Sequence, residues 1–256
     1  MIDQYRQKLN MRATALLVSI ESGLDRIMIA WLLLAGLASA ARIALSPSYG
    51  PAGIETVAPY LLLILTPFAS MVLALRWFAE GDRLPQPATR LAVIGRWRDV
   101  SRDQAMRHRL YGAGGIMVSL LVGMLLNVPV RAMEYLAAMP ALSGPVPGWL
   151  ATLNLLMTFD LVLVSSLYVI AFVAALRRVP LFPRLLAAIW AVDIAMQLVI
   201  AELIAGTEGL PPAVAEALHP LLDGNIKKVL ISVALWLPYL LLSKRVNVTY
   251  RHRLPA

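Results

Sequence analysis

Apolar residues along this chain are gathered into long blocks rather than spaced at amphipathic intervals. Crossing about 30 Å of hydrocarbon takes roughly 20 apolar residues in a helix. Six blocks qualify: Ile27 to Leu45, Thr56 to Phe78, Tyr111 to about Leu136, Trp149 to Leu176, Leu185 to Ala205, and Lys227 to Leu242, the last being the shortest. An open, lipid-facing alternative would strand backbone hydrogen bonds, so the blocks read as helices. The pattern predicts an all-α polytopic integral membrane protein with six transmembrane helices. Residues 1–26 form a cytoplasmic or interfacial segment. Residues 27–243 form the membrane domain, interrupted by a basic loop at 79–110, and residues 244–256 form a basic tail.

Charge supplies an orientation. Of 23 basic residues, four lie in 1–26, eight from Arg76 to Arg109, three from Arg177 to Arg184 and four from Lys244 to Arg253. Cytoplasmic loops carry an excess of Lys and Arg, so both termini are expected in the cytoplasm. An even number of spans requires that they share a side. The start of the chain lacks a compact apolar core followed by a small-residue cleavage site, unlike a secretory signal.

The chain has no cysteine and only three histidines, far apart in sequence, so thiolate chemistry is excluded and no metal site is expected. Nucleotide-binding, zinc-protease and serine-hydrolase signatures are absent, and no cofactor is expected. The formal charge of +8 carries no sequence-specific nucleic-acid motif. Membrane lipids, anionic ones among them, and a membrane-protein partner or a second copy are the expected contacts.

Candidate chemistry lies in polar residues inside the apolar blocks. Asp160, in LMTFDLVLVSSLY, and Asp193, in AAIWAVDIAMQLVIAEL, fall well inside spans four and five. A carboxylate there costs about 3 kcal/mol or more and needs a partner, water or a proton. Gln197 follows Asp193 by one turn and shares its face. Spans four and five are joined by the short RRVPLFPR, which makes them antiparallel neighbours whose acids can face one cavity and share a proton. The alternative is a hydrogen-bond network that sets helix register, with Tyr168, Trp190 or serines as partners.

Four cations depart from the cytoplasmic pattern: Arg42, Arg131, Lys227 and Lys228, at the opposite ends of the spans. Arg131 and Glu134, in NVPVRAMEY, are expected to pair along one helix at the outer end of span three, beyond the bend at Pro129. Asn127 or water is expected to satisfy the carbonyl of Leu125 that this proline frees. Asp223, one turn before Lys227, and Glu202, near the outer end of span five, offer further compensation. Snorkelling from the helix ends is the simpler account; an anionic ligand gripped by arginine forks is the other.

Several weaker signals accompany these. Gly115, Ser119 and Gly123 in span three, like Ala35 and Ser39 in span one, have small-residue spacing that favours close helix contact. Residues 2–20 read as an interfacial helix or as a disordered lead-in. Leu91, Val93, Ile94, Trp97 and Val100 among arginines suggest a short helix on anionic lipid or on a partner.

The end of the chain, LWLPYLLLSKRVNVTYRHR, resembles the closing helix and tail of an uncharacterised family of small bacterial multispanning inner-membrane proteins. Trp236, Pro238, Tyr239, Ser243, Lys244, Arg245, Val246, Thr249 and Tyr250 carry the likeness, over about residues 235–253. It implies a bacterial inner membrane and no chemistry. Typical members have fewer spans and no long basic loop. Three functions are compatible with the sequence: a non-enzymatic accessory protein binding lipid or a partner complex, a small proton-coupled transporter using Asp160 and Asp193, and a membrane enzyme acting on a lipid or phosphate-linked substrate at the outer side.

Overall fold

The computed structural model describes residues 2–47, 53–90 and 95–256. It is an all-α polytopic membrane protein with six helices long and apolar enough to span a membrane. The helix α1 (Ile2–Ser22) precedes the spans, which are α2 (Leu24–Leu45), α3 (Ile54–Trp77), α5 (Met117–Ala138), α6 (Gly148–Leu176), α7 (Phe182–Ala205) and α8 (Pro212–Leu242). Between α3 and α5 lie a short strand β1 (Trp97–Asp99) and the short helix α4 (Arg102–Met106); α9 (Lys244–Arg251) and β2 (Arg253–Pro255) close the chain. At about 1.5 Å per residue, the 22 residues of α2 reach about 33 Å, enough for the hydrocarbon core.

The helix α6 is the hub, packing on α3, α5 and α7, while α2 leans on α3 and α5, and α8 on α7. Two apolar clusters fill the bundle. One centres on Met117, Leu121, Phe172, Phe182, Leu186 and Tyr250, the other on Tyr60, Leu63, Tyr135, Leu153, Ile200 and Ile204. Asp160 lies between them on α6, after Met157 of the second cluster and before Val164 of the first.

Several expectations need correction. Span six begins at Pro212 rather than Lys227, because Pro211 and Pro212 supply a rigid start and the helix continues through Pro220. Ser119 and Gly123 face outward, with nothing near a Cβ added at Gly123, so these two positions make no close helix contact among the described residues. Ala35 and Ser39, by contrast, are buried. Residues 2–20 are helical, and Ile20 packs into the core. In the basic loop, Trp97 belongs to a strand paired with Leu254 and its neighbours at the C-terminus, not to a lipid-lying helix; Leu91, Val93 and Ile94 lie outside the described residues.

The basic tail is not a free surface anchor. Val246, Asn247, Val248, Thr249, Tyr250 and Arg251 are buried. Arg245 donates to the carbonyls of Leu110 and Gly112, at 3.3 Å each, and Thr249 Oγ1 accepts from Gly112 N at 3.0 Å. The loop that follows α3 docks on the same end of the bundle at Gly81. A Cβ there would lie 2.6 Å from Val179 Cγ2 and 2.9 Å from the Arg177 carbonyl. Since the backbone oxygen cannot swing aside, Gly81→Ala is expected to lower stability by about 1–3 kcal/mol. Thermal unfolding in detergent measures this, and an unchanged midpoint would mean that the loop does not dock there.

Candidate functional site

Arg131 sits two turns before the end of α5, and its side chain is turned into the bundle, only 9% exposed. A guanidinium presents five donors in a planar fork, and here each of its three nitrogens has a partner. Nη1 donates to Asp160 Oδ2 on α6 at 3.0 Å, Nη2 donates to Asp193 Oδ1 on α7, and Nε donates to Asn127 Oδ1 at 3.2 Å, one turn back on α5.

The carboxylates use their remaining oxygens as well. Tyr168 donates its hydroxyl to Asp193 Oδ2 at 3.1 Å, and Gln197 Nε2 donates to Asp160 Oδ1 at 3.1 Å. Gln197 Oε1 in turn accepts from Asn225 Nδ2 on α8 at 3.1 Å, and Asn225 Oδ1 accepts from Lys228 Nζ at 3.3 Å. Lys228 also pairs with Glu134 of α5. The chain of bonds therefore clips four helices together. Asp193 is 0% and Asp160 5% exposed, so both carboxylates are in the protein interior near mid-span.

Two small cavities, of about 20 and 40 Å³, flank Arg131 between α5, α6 and α8. The first is lined by Asp160, Tyr135 and Leu221 among others, the second by Asn127, Tyr168 and Ser232, and both touch Glu134 and Asn225. Each exceeds the roughly 10–15 Å³ that one water molecule needs, and the polar lining can hold it. Towards α9 the site is closed by Val164, Ile189 and Trp190, none more than 3% exposed. Glu134 and Lys228 thus stand at the more open edge.

The arrangement corrects the expected pairings. Arg131 reaches neither an outer-surface ligand nor Glu134, because the inward face of α5 points it at two acids, while Glu134 meets Lys228 across the gap to α8. Asn127 is occupied by Arg131 rather than by the Leu125 carbonyl. Arg42 donates to the carbonyls of Met139 at 3.0 Å and Ala137 at 3.5 Å, fastening α2 to the start of the α5–α6 connection. Lys227 and Glu202 are exposed, and Asp223 lies 3.8 Å from His219. The four cations therefore do not converge on one anion site. Asn225 escaped notice in DGNIKK, although its three-residue spacing from Lys228 puts the two on one face.

A guanidinium between two carboxylates brings one positive and two negative formal charges. The fully ionised trio carries a net −1 in a medium where an uncompensated charge is costly. Binding one proton neutralises it. No group of three or more acidic or histidine side chains suited to a metal ion occurs among the described residues. Comparison with protein-family models, curated proteins and solved structures gave no match.

Proposed function

We propose that the chain is a small proton-coupled membrane transporter in which Arg131, Asp160 and Asp193 form the proton-binding centre. The observation that carries this reading is the pair of mid-span carboxylates held on a single guanidinium, a centre one proton short of neutrality. Intramembrane acids of this kind mark proton and ion pathways. Protonation removes the attraction between one carboxylate and Arg131, which weakens the link between α5 and either α6 or α7. Asn225 and Lys228 connect that change to α8, which packs on α7 and lends the bundle little other contact. The excess of Lys and Arg at the α9 end supports a reading with both termini in the cytoplasm and the Glu134–Lys228 edge towards the outer side.

The test uses liposomes containing the protein and a trapped pH dye, challenged with pools of amino acids, sugars and organic cations. At least one pool is expected to acidify the lumen, and Asp193→Asn to reduce that rate at least tenfold, since an amide has no carboxyl proton to exchange. Infrared difference spectra on acidification should show a carboxyl signal lost in Asp160→Asn or Asp193→Asn. Unaltered proton flux in Asp193→Asn, or a carboxylate pair that never titrates, would remove the reading.

A second reading, an accessory protein that binds lipid, draws on a different feature. An apolar cavity of about 280 Å³ lies between α2, α3, α5 and α6, with Trp31, Pro67, Phe68, Leu125 and Pro129 among its walls. Its near-absence of polar surface suits an acyl chain. Retention of a stoichiometric lipid through purification, reduced by Ala30→Trp, would favour this role.

A further inference from the structure

At the end of the bundle remote from Glu134, a second polar constellation is unrelated to the intramembrane trio. Arg251, in the last turn of α9, is 3% exposed, yet its Nη2 has no hydrogen-bond partner among the described residues. Its Nη1 donates to Asn247 Oδ1 at 3.2 Å, a neutral acceptor. A buried guanidinium without a carboxylate is costly. Burial, reinforced by the charge of Arg253, lowers its pKa to about 10.

Arg251 lines a shallow, half-open pocket together with Arg90, Arg184, Pro87, Pro180 and Pro183. The three prolines have no backbone N–H, so the donors facing the pocket are guanidinium groups. Arg90 donates to Asp99 Oδ1 at 2.7 Å and to the Arg251 carbonyl at 3.2 Å, and Arg184 donates to the Thr89 hydroxyl. Arg253 shares Asp99, at 2.8 Å. Arg90 and Arg253 therefore share the Asp99 carboxylate, whose pKa they hold below the usual carboxylate range, first by the hydrogen bond from Arg253, while Arg184 and Arg251 have no carboxylate partner among the described residues. The pocket is small, about 10 Å³, space for about one oxygen atom, so a larger group would seat one oxygen in it and leave the others at the surface. It lies at the α6–α7 turn, where the spans end.

We propose that this pocket binds a phosphate group, with one oxygen seated against Arg251 and the others reached by Arg90 and Arg184. Arginine forks match phosphate geometry through paired N–H donors. The position at the end of the spans is headgroup depth, so the phosphate belongs to an anionic phospholipid or to a soluble phosphorylated molecule.

The two sources are separated with the full-length protein in a neutral detergent, titrated with short-chain phosphatidic acid, short-chain phosphatidylcholine and inorganic phosphate. Native mass spectrometry and thermal unfolding report binding. Phosphatidic acid is expected to bind at least tenfold more tightly than phosphatidylcholine. Inorganic phosphate that competes with it identifies a site open to soluble phosphates, and its failure to compete identifies a lipid site. Arg184→Gln, which loses only a hydroxyl partner and leaves the core intact, should weaken phosphatidic acid at least tenfold. Arg251→Gln should do the same where it folds. Equal binding of the two lipids, or full affinity in Arg184→Gln, would overturn the proposal.

Discussion

Arg131→Ala is expected to lower stability by about 3–5 kcal/mol, the usual cost of removing one partner from a buried ionic group. The loss comes less from the bonds Arg131 makes than from what it leaves behind. Asp160 and Asp193 would face each other without a cation, and Asn127 would lose its donor. The chain would respond by taking up protons. Adding Asp193→Asn to Arg131→Ala is therefore expected to recover a good part of the loss, because it removes the 0%-exposed charge while Tyr168 can still bond the amide oxygen. Unfolding by a denaturing detergent, on the two single variants and the double, gives the coupling directly. Additive effects, with no recovery, would show that the three side chains do not act as a unit. Glu134→Gln provides the contrast: its partner Lys228 is 56% exposed, and such pairs contribute about 0–1 kcal/mol.

The same contrast explains what could be read from sequence. Asp160 and Asp193 are conspicuous because nothing else in their helices is ionisable at that depth apart from Tyr168, and the short α6–α7 connection makes their helices neighbours. Arg131 was legible as a charge but not as their partner. Sequence spacing offers Glu134 one turn away, whereas the real competition is three-dimensional: the inward face of α5 meets α6 and α7, and α8 brings Lys228 to Glu134. Pro129 also drew Arg131 towards the membrane surface, since a proline within an apolar block reads as its end. In the structure α5 continues through Pro129 for nine further residues, to Ala138. The six spans follow from apolar block length, which needs no partner information. The tail does not, because its burial depends on contacts with residues more than a hundred positions earlier.

Tyr250→Ala is the second change with a large expected effect, about 3–5 kcal/mol, on the scale of emptying an aromatic site in a core. By composition the tail is polar, and Tyr250 sits between Thr249 and Arg251. Nevertheless Tyr250 is wholly buried, with its ring 5.0 Å from that of Phe182 at the start of α7 and its hydroxyl donating to the Ala175 carbonyl in the last turn of α6 at 2.8 Å. That carbonyl belongs to the last four of its helix and also accepts from Arg178 N at 3.2 Å, just past the helix end. Tyr250 therefore reinforces the end of α6 with a second donor and braces α7 at once. Burial pushes its phenol well above the usual value, so it stays a neutral donor at every ordinary pH. Tyr250→Phe keeps the ring and loses only the hydroxyl bond, for about 0.5–1.5 kcal/mol, since Arg178 N still serves the carbonyl. Thermal unfolding separates the two contributions, and proteolysis of the tail gives an independent readout: Tyr250→Ala should expose α9 to cleavage while the spans stay protected. If Ala and Phe prove equally mild, the tail is not held by this ring. If Tyr250→Ala instead unfolds the spans together with α9, the tail and the bundle form one cooperative unit. That outcome is expected if the Phe182 contact sets the angle between α6 and α7, the two helices that carry Asp160 and Asp193.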